Sequence, residues 1–338
     1  MRYLHRHFAA RSGAACLFAA VCAAVFPASA GEGAKYTTIN VDGGGAYPYS
    51  INDAGAVTGS YSGYNYYQGF TRAADGTITT FDPAGSTDTW PRSINRAGEI
   101  AGHYQTGDES FYQHGFVRAP DGTITSFDPS GSISTLAYGL NDKGAVVGGW
   151  FDSNNVQHAF LRSADGTITS FDVSGASGTT AETINRQGVV AGQWSGSDGV
   201  VHGFVRAADD KIRSFDAQTG ASETFALGIN DKGVIVGFCQ CDGTNHGFVR
   251  KADGTVTVID PPESTSTIAA GIDAKGEIVG DFTPGTGVES GFVRSATGRF
   301  TVFDIPQKKQ TYPSAINDSG ETLGYYMRGS GAFGFLRK

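Results

Sequence analysis

Four histidines recur at nearly equal spacing in four copies of one motif: His114, His158, His202 and His246. The copies read HGFVRAPDGTITSFD, HAFLRSADGTITSFD, HGFVRAADDKIRSFD and HGFVRKADGTVTVID. Imidazole is a common metal ligand and a frequent general acid or base near neutral pH. The first hypotheses are therefore a metal site or a catalytic site. The elements that carry the histidines decide between these and a structural role.

The histidines belong to a longer repeat that runs seven times through the chain. Each copy has an Asn-x-x-Gly anchor, with Asp in place of Asn once, at Asn52, Asn95, Asn141, Asn185, Asn230, Asp273 and Asn317. A Phe-x-Arg motif follows each anchor and ends at Arg72, Arg118, Arg162, Arg206, Arg250, Arg294 and Arg337. Successive anchors lie 43 to 46 residues apart, and we number the copies as units 1 to 7.

Each unit contains four strand-like runs. In unit 3 these runs are LAYGL, AVVGGW, HAFLR and TITSFD, which we call strands a, b, c and d. NDKG separates a from b and SADG separates c from d, and both contain the Gly that tight hairpins favour. A four-stranded meander repeated about every 40–50 residues is typical of a β-propeller.

The two ends of the chain predict a closed ring. Unit 7 stops after its c strand, at Arg337, while YTTINVD at Tyr36–Asp42 has the form of a d strand that no a, b or c strand precedes. Pairing these segments would complete the seventh blade and leave no open edge between the first and last blades. The sequence therefore predicts an all-β fold, a single seven-bladed β-propeller domain over 31–338 with four antiparallel strands per blade.

This architecture answers the question that the histidines raise. All four begin strand c, which lies about 15 Å from the axis because neighbouring strands are about 4.8 Å apart. Equivalent atoms in adjacent blades are then more than about 10 Å apart, whereas zinc–nitrogen bonds are about 2.1 Å long. We predict that each histidine makes a hydrogen bond within its own blade. We assign no metal site, no cofactor and no catalytic residue.

Other repeated residues are also predicted to belong to the scaffold. The anchor Asn, or Asp273, fits the first position of a turn, where its side-chain oxygen accepts a backbone N–H. The Phe of each Phe-x-Arg motif supplies apolar area between blades. The Arg of that motif is expected to lie along the blade and to reach a neighbouring carboxylate or carbonyl.

Residues 1–30 are predicted to be a secretory signal peptide. A basic start with three arginines, an apolar run at 14–26 and the small-x-small pattern of Ala28 and Ala30 support this interpretation. The apolar run is shorter than a transmembrane helix. We therefore expect a secreted or periplasmic monomer without membrane insertion.

The mature chain is acidic and poor in cysteine. Without the three arginines of the leader, 22 basic and 33 acidic residues remain. This excess of carboxylates argues against nucleic acid as a partner, because nucleic acid is bound through Lys and Arg. Cys239 and Cys241 are the only cysteines after the leader. A disulfide, free thiols and metal or redox chemistry all remain open for them.

Candidate binding residues are those that differ from unit to unit. Polar and aromatic side chains vary at two positions, three residues before the anchor in strand a and one residue after the second Gly in strand b. The d–a loops add further aromatics, and these loops share a face with the channel mouth. We predict that the ligand-binding residues are Tyr49, Trp90, Arg92, His103, Tyr138, Glu182, Tyr312 and Tyr325. The alternative is that the aromatics only pack the loops.

The repeated pattern in NDKGAVVGGW and HAFLR resembles the HAF-repeat family of bacterial extracellular proteins. The resemblance covers Tyr36 to Lys338 and implies a secreted propeller, and it transfers no catalytic residue. Units 1, 6 and 7 depart from the pattern, with Gln68, Ser290 and Phe333 in place of the histidine.

Three functions remain open at this point. The first is a binding module for a polysaccharide or an envelope protein on the long-loop face. The second is a polysaccharide lyase or hydrolase, which needs Arg92, His103, Glu182 and a tyrosine to converge on one substrate. The third is a scaffold without a small-molecule site, which is favoured if the aromatics are buried under their own loops.

Overall fold

The computed structural model describes residues 34–63, 66–107, 112–305, 309–329 and 331–338. These residues form 28 β-strands and no helix, so the all-β prediction is confirmed. The signal peptide predicted at 1–30 lies outside the described residues.

The strands follow the repeat of the sequence. The first strand is β1 (Tyr36–Ile39). Unit 1 has β2 (Ala46–Ile51), β3 (Val57–Ser62), β4 (Tyr67–Arg72) and β5 (Ile78–Phe81). Unit 2 has β6 (Ser86–Ile94), β7 (Ile100–Thr106), β8 (Gln113–Arg118) and β9 (Ile124–Phe127). Unit 3 has β10 (Ser134–Leu140), β11 (Val146–Phe151), β12 (Gln157–Arg162) and β13 (Ile168–Phe171).

The later units repeat this order. Unit 4 has β14 (Gly178–Ile184), β15 (Val190–Ser195), β16 (Val201–Arg206) and β17 (Ile212–Phe215). Unit 5 has β18 (Glu223–Ile229), β19 (Ile235–Cys241), β20 (Thr244–Arg250) and β21 (Val256–Val258). Unit 6 has β22 (Ser264–Ile272), β23 (Ile278–Pro284), β24 (Ser290–Arg294) and β25 (Phe300–Phe303). Unit 7 has β26 (Lys309–Ile316), β27 (Thr322–Arg328) and β28 (Gly331–Arg337).

Most units form separate four-stranded antiparallel sheets. Units 1, 2, 3 and 6 pair their strands in chain order. In unit 7 the fourth strand is β1, which pairs antiparallel with β28 so that Tyr36 lies opposite Arg337 and Ile39 opposite Gly334. The N-terminal strand therefore pairs with the last strand of the chain, as its sequence predicts.

Units 4 and 5 differ, because they are joined into one eight-stranded sheet. Val201 of β16 forms a single parallel bridge with Glu223 of β18, and the Val201 N–H donates to the Ser222 carbonyl at 3.0 Å. Strand β17 pairs with β16 only from Gly203 to Arg206. Strand d pairs with the same four positions of strand c in units 1, 2, 3 and 6, so only the bridge at Val201 distinguishes units 4 and 5.

The anchor residues join successive units. The Nδ2 of Asn52 donates to the Asn95 main-chain carbonyl at 3.0 Å. The equivalent bonds, at 3.0–3.2 Å, link Asn95 to Asn141, Asn141 to Asn185, Asn185 to Asn230, Asn230 to Asp273, and Asn317 to Asn52. The Oδ1 atoms accept turn N–H groups, as Asn141 does from Lys143 and Ala145 at 3.0 Å. The predicted turn role is confirmed, and the contact between units is a second role that the sequence did not reveal.

The core lies between neighbouring units. The seven Phe side chains of the Phe-x-Arg motifs are at most 1% exposed: Phe70, Phe116, Phe160, Phe204, Phe248, Phe292 and Phe335. Glycine in strand b makes room for them. A Cβ on Gly148 would overlap the Leu136 carbonyl oxygen and lie 2.7 Å from the Phe160 ring. The predicted packing role of the repeated Phe is confirmed.

The repeated arginines make the expected carbonyl and carboxylate contacts, as Arg118 does with the Ala119 carbonyl at 3.5 Å and Arg206 with Asp210 at 2.6 Å, and they make a further contact that was not expected. The Arg118 guanidinium lies 4.8 Å from the centroid of Phe81 in the preceding unit. Arg162, Arg206, Arg250 and Arg337 make the same contact with the preceding d-strand Phe at 4.8–5.0 Å. Carbonyl contacts also occur, such as Arg162 donating to Ser163 at 3.3 Å. A flat guanidinium stacks on an aromatic face, which explains why the blade-to-blade contact selects Arg.

Candidate ligand-binding site

The four repeated histidines have the structural role predicted for them. Their Nδ1 atoms lie 2.7–2.8 Å from the carboxylate at the end of strand d in the same unit: Asp128, Asp172, Asp216 and Asp260. The rings also contact strand b, for example Trp150 with His158 at 4.6 Å and Trp194 with His202 at 4.5 Å. Among the described residues, no three His, Cys, Asp or Glu side chains are grouped to hold a metal ion.

The variable residues of strand a share one backbone feature. In every unit the register of strands a and b shifts by one residue at this position, a β-bulge. The bulge residues are Tyr49, Arg92, Tyr138, Glu182, Leu227, Ala270 and Ser314. A bulge leaves its extra residue unpaired and redirects the side chain. The fold thus keeps the same geometry in each unit while the side chain presented there can change freely.

Arg92 lies between two tyrosines that come from the neighbouring units. Its guanidinium carbon is 4.7 Å from the ring centroid of Tyr49 and 5.6 Å from that of Tyr138. Within the described part of the chain, no carboxylate lies within 4.0 Å of Arg92 to form an ion pair. Three predicted site residues therefore meet. Tyr49 shares a hydrogen bond with Arg92, and the other guanidinium N–H groups can bind a further group.

Glu182 occupies the fourth bulge, next to this cluster. Burial raises the pKa of its carboxyl, although the charge of Arg92 acts in the opposite direction. Burial also raises the pKa of Tyr138, and the charge of Glu182 adds to that effect. Tyr49 has its pKa raised by burial as well. These side chains are partly exposed, so a ligand can reach them.

A continuous series of aromatic contacts joins the remaining predicted residues. Tyr312 stacks on Tyr325 at 5.0 Å, and Trp90 contacts His103 at 5.3 Å, which contacts Tyr138 at 5.8 Å. Tyr47 and Tyr67 connect these two groups. The Tyr47 ring lies 5.4 Å from the Tyr325 ring and 5.8 Å from the Tyr67 ring, and the Tyr67 ring lies 6.4 Å from the Trp90 ring. The structure therefore brings the predicted residues of units 1, 2, 3 and 7 together.

Tyr47 and Tyr67 are needed for this continuity and were not among the predicted ligand-binding residues. The signal for them was present, because Tyr67 lies in the aromatic loop YSGYNYYQ and Tyr47 in the first d–a connection. Tyr64 of the same loop lies outside the described residues. Burial raises the pKa of Tyr47 to about 12, with Tyr67 adding to the effect.

His103 is unsuited to acid or base chemistry near neutral pH. The residue is 6% exposed, and its Nδ1 lies 3.2 Å from the Ala137 carbonyl. Burial, and secondly the charge of Arg92, lower its pKa to about 3. The imidazole is therefore neutral, and its Nδ1–H donates to Ala137. A general base needs a pKa closer to the working pH.

Two carboxylates contribute negative charge on the unit 6 side of the channel. Asp281 follows the second Gly of strand b, and burial, with the Glu289 charge as the second cause, raises its pKa to about 7. Glu289 accepts a hydrogen bond from Gln310 Nε2 at 2.9 Å. Both carboxylates influence Tyr312 and Tyr325, whose pKa values are raised mainly by burial. The channel is thus polarised, with Arg92 in unit 2 and carboxylates in unit 6.

The opposite, hairpin end of the channel holds a cavity of about 190 Å³. The residues that follow the anchors surround it: Asp53, Arg96, Asp142, Arg186, Asp231, Ala274 and Asp318. Arg96 pairs with Asp53 at 2.6 Å and Arg186 pairs with Asp142 at 2.7 Å. The predicted ligand-binding residues lie at the other end, and none of them belongs to this alternation of Asp and Arg.

Cys239 and Cys241 are free, buried thiols whose Sγ atoms lie 2.7 Å apart. Both lie on β19, and Cys241 pairs with Thr244 across a tight hairpin. Burial raises the pKa of the Cys239 thiol, and the contact with Cys241 adds to the effect. Neither thiol contacts the channel residues described above.

The series of four-stranded antiparallel sheets is typical of a β-propeller, and comparison with solved structures agrees. A catalytically inactive virginiamycin B lyase from Staphylococcus aureus, in complex with Quinupristin, is 16% identical with a TM-score of 0.60, over 90% of this chain and 99% of that chain. The β-propeller domain of the Trilobed protease from Pyrococcus furiosus is 10% identical with a TM-score of 0.59, over 87% and 93%.

One of two prolyl endopeptidases aligns over 84% of this chain but 46% of its own, at 12% identity and a TM-score of 0.63. At such identities the likeness shows the fold alone. No family model and no curated protein matches the chain. In the part of the chain that the structure describes, no helix could cross a membrane.

Proposed function

We propose that this protein is an exported, closed seven-bladed β-propeller that binds an acidic glycan in the long-loop end of its channel. The leader-like residues 1–30 support export. The pairing of β1 with β28 and the bond from Asn317 to Asn52 support a closed ring. The observation that carries the binding proposal is Arg92, held between Tyr49 and Tyr138 without an ion-pair partner among the described residues.

The chemistry around Arg92 favours a sugar acid as the ligand. A guanidinium binds a carboxylate through two parallel N–H···O bonds. Tyrosine and tryptophan faces pack against sugar rings, and their polar tips bond to hydroxyl groups. Asp281 and Glu289 accept hydrogen bonds from ligand hydroxyls on the far side. A polymer with dense negative charge fits poorly, because these carboxylates would repel it.

The alternative function is a lyase or hydrolase that uses the same channel. Arg92, Tyr138 and Glu182 supply a cation, a phenol and a carboxyl in one place, which is the observation in its favour. This mechanism requires a base, and His103, whose pKa is lowered to about 3, cannot accept a proton near neutral pH. The binding function therefore has the stronger support.

The binding proposal is tested with oligosaccharides that differ only in one carboxylate. We expect calorimetry to detect binding of a uronic-acid oligosaccharide and weaker binding of its neutral counterpart. Arg92→Ala should weaken uronate binding about 10- to 100-fold, since a charged hydrogen bond contributes about 1.5–3 kcal/mol. Arg96→Ala is the matched control, because Arg96 belongs to the opposite end of the channel.

Equal affinity for the neutral sugar, or an unchanged affinity in Arg92→Ala, would contradict the proposal. Shortening of the oligosaccharide during incubation, followed by chromatography, would favour the enzyme instead. The same assay on Tyr138→Phe then decides whether the phenol takes part in that reaction.

A further inference from the structure

One anchor residue breaks the series that joins the units. Asp273 takes the place of Asn in unit 6, and its Oδ1 accepts the turn N–H groups of Gly276 at 2.8 Å and Glu277 at 2.7 Å. The other oxygen, Oδ2, is buried without a hydrogen-bond partner. The residue is 2% exposed. An unpaired buried carboxylate oxygen has a high free-energy cost.

The position of Oδ2 follows from the six other anchors. In each of them Oδ1 serves the turn and Nδ2 donates to the main-chain carbonyl of the next anchor, at 3.0–3.2 Å. In Asp273 the Oδ1 also accepts the N–H of the fourth residue, Glu277, but it accepts that of Gly276 where most other anchors, such as Asn141, accept from the second residue. Oδ1 therefore still serves the turn, which leaves Oδ2 for the side of the next anchor, Asn317. A carboxylate oxygen cannot donate, so Oδ2 cannot form the bond to the Asn317 carbonyl that the six amides form.

A third oxygen is directed at the same point. In units 2 and 7 the fourth residue after the anchor is Glu, and its Oε2 accepts from the anchor Nδ2: Asn95 to Glu99 at 2.6 Å and Asn317 to Glu321 at 2.9 Å. Unit 6 has Glu277 at this position. The Glu277 Oε2 lies 3.7 Å from the position that a Cβ would take on Gly320, the turn glycine of the next unit. The Oε2 atoms of Glu99 and Glu321 lie at similar distances, 3.5 and 3.2 Å, from the same position on the turn glycines Gly144 and Gly55. Glu277 thus has the same orientation as its two counterparts.

Nearby positive charge does not balance this group. Glu321 has Lys338 at 2.6 Å, whereas no Lys or Arg among the described residues lies within 4.0 Å of Asp273 or Glu277. Ala274 occupies the position that holds Arg96 and Arg186 in units 2 and 4. Its N–H donates to Asp318 at 2.8 Å, which brings a further carboxylate to the same joint.

We propose that the joint between units 6 and 7 binds a calcium ion through Asp273 Oδ2, Glu277 Oε2 and the Asn317 carbonyl oxygen. Calcium takes carboxylate and carbonyl oxygens as ligands and completes its shell with water. The residues on either side of Asp273, Ile272 and Ala274, line the hairpin-end cavity, so the joint lies next to solvent-accessible space. The ion takes the place of the amide Nδ2 that donates a hydrogen bond to the next anchor's carbonyl in the other six joints.

The test compares the thermal unfolding of purified wild-type protein and Asp273→Asn in EDTA and in calcium chloride. For the wild type, calcium at about one hundred times its dissociation constant should raise Tm by about 5 °C. Asp273→Asn restores the amide, so it should not respond to calcium and should melt in EDTA at or above the wild-type temperature. Calcium binding measured by calorimetry should likewise disappear in this variant.

A matched gain-of-site variant sharpens the test. The double variant Asn95→Asp with Arg96→Ala places a carboxylate beside Glu99 and the Asn141 carbonyl and reproduces Ala274, so it builds the same three oxygens without the nearby cation in unit 2. We expect the calcium stoichiometry from calorimetry to rise from one to two. A wild type whose Tm ignores calcium, or an Asp273→Asn variant that responds equally, overturns the proposal. Stability that falls as pH rises, without any calcium response, would assign the joint to a shared proton and also overturn it.

Discussion

The two ends of the channel are built from the same strands, yet they follow different rules. At the hairpin end the anchor amides repeat from unit to unit and form the same bond six times. At the long-loop end the bulge residues change from Tyr49 to Arg92, Tyr138 and Glu182 along the chain. The bonds that join each unit to the next are thus made at the hairpin end. The other end is free to vary, and ligand recognition can occupy it.

The strongest way to test this division is to remove a repeated core residue. Phe204→Ala should lower the free energy of unfolding by about 4 kcal/mol, because it leaves a cavity between units 3 and 4 where Phe171 contacts the ring at 6.0 Å. Urea unfolding followed by fluorescence measures the change. Val156→Ala, at a residue that is 36% exposed, serves as the control and should change the stability by less than about 0.5 kcal/mol.

Removing a repeated anchor should have the next largest effect. Asn141→Ala deletes two turn bonds and leaves the Asn185 carbonyl without its donor at 3.0 Å. We expect a loss of about 3 kcal/mol in urea unfolding, since an unpaired buried acceptor is costly. Asn154→Ala is the matched control, because Asn154 lies exposed in a loop. A loss below about 1 kcal/mol would mean that the anchors contribute little to joining the units.

A substitution at the variable, long-loop end should change how the stability depends on pH and should leave the fold unchanged. Burial holds the pKa of Asp281 at about 7, above the value of about 3.9 for an unfolded chain. The folded state therefore binds the proton more tightly, and stability falls as pH rises from about 4 to 7.

Asp281→Asn removes this titration. We expect the variant to be about 2 kcal/mol more stable than the wild type at pH 8 and no more stable at pH 4. The gain is smaller than the full pKa shift implies, because the Asp281 side chain is partly exposed to solvent. Thermal unfolding across this pH range measures the difference. A constant difference between variant and wild type at all pH values would show that Asp281 does not titrate there.

Much of the scaffold could be predicted from the repeated sequence, because each repeated residue has the same local role in every unit that carries it. The turn role of Asn141, the burial of Phe160 and the pairing of His158 with Asp172 follow from position alone. The contact of Arg92 with both Tyr49 and Tyr138 does not, because it depends on the rotation between neighbouring units and on the bulge that redirects each side chain. The unpaired oxygen of Asp273 could not be predicted from the sequence for another reason. Asp and Asn are equivalent as acceptors in a turn, and they differ only in the bond to the next unit.

The pairing of β1 with β28 also has a consequence for the order in which the sheets form during synthesis. β1 is synthesised first among the strands and its partner last, so roughly 300 residues separate them on the ribosome. At about 5–20 residues per second, β1 waits roughly 15–60 s for its partner. During this interval Ile39, which is 1% exposed in the finished protein, has no cover from β28. The sheet that contains β1 is therefore formed late, because β1 stays unpaired until β28 has been synthesised.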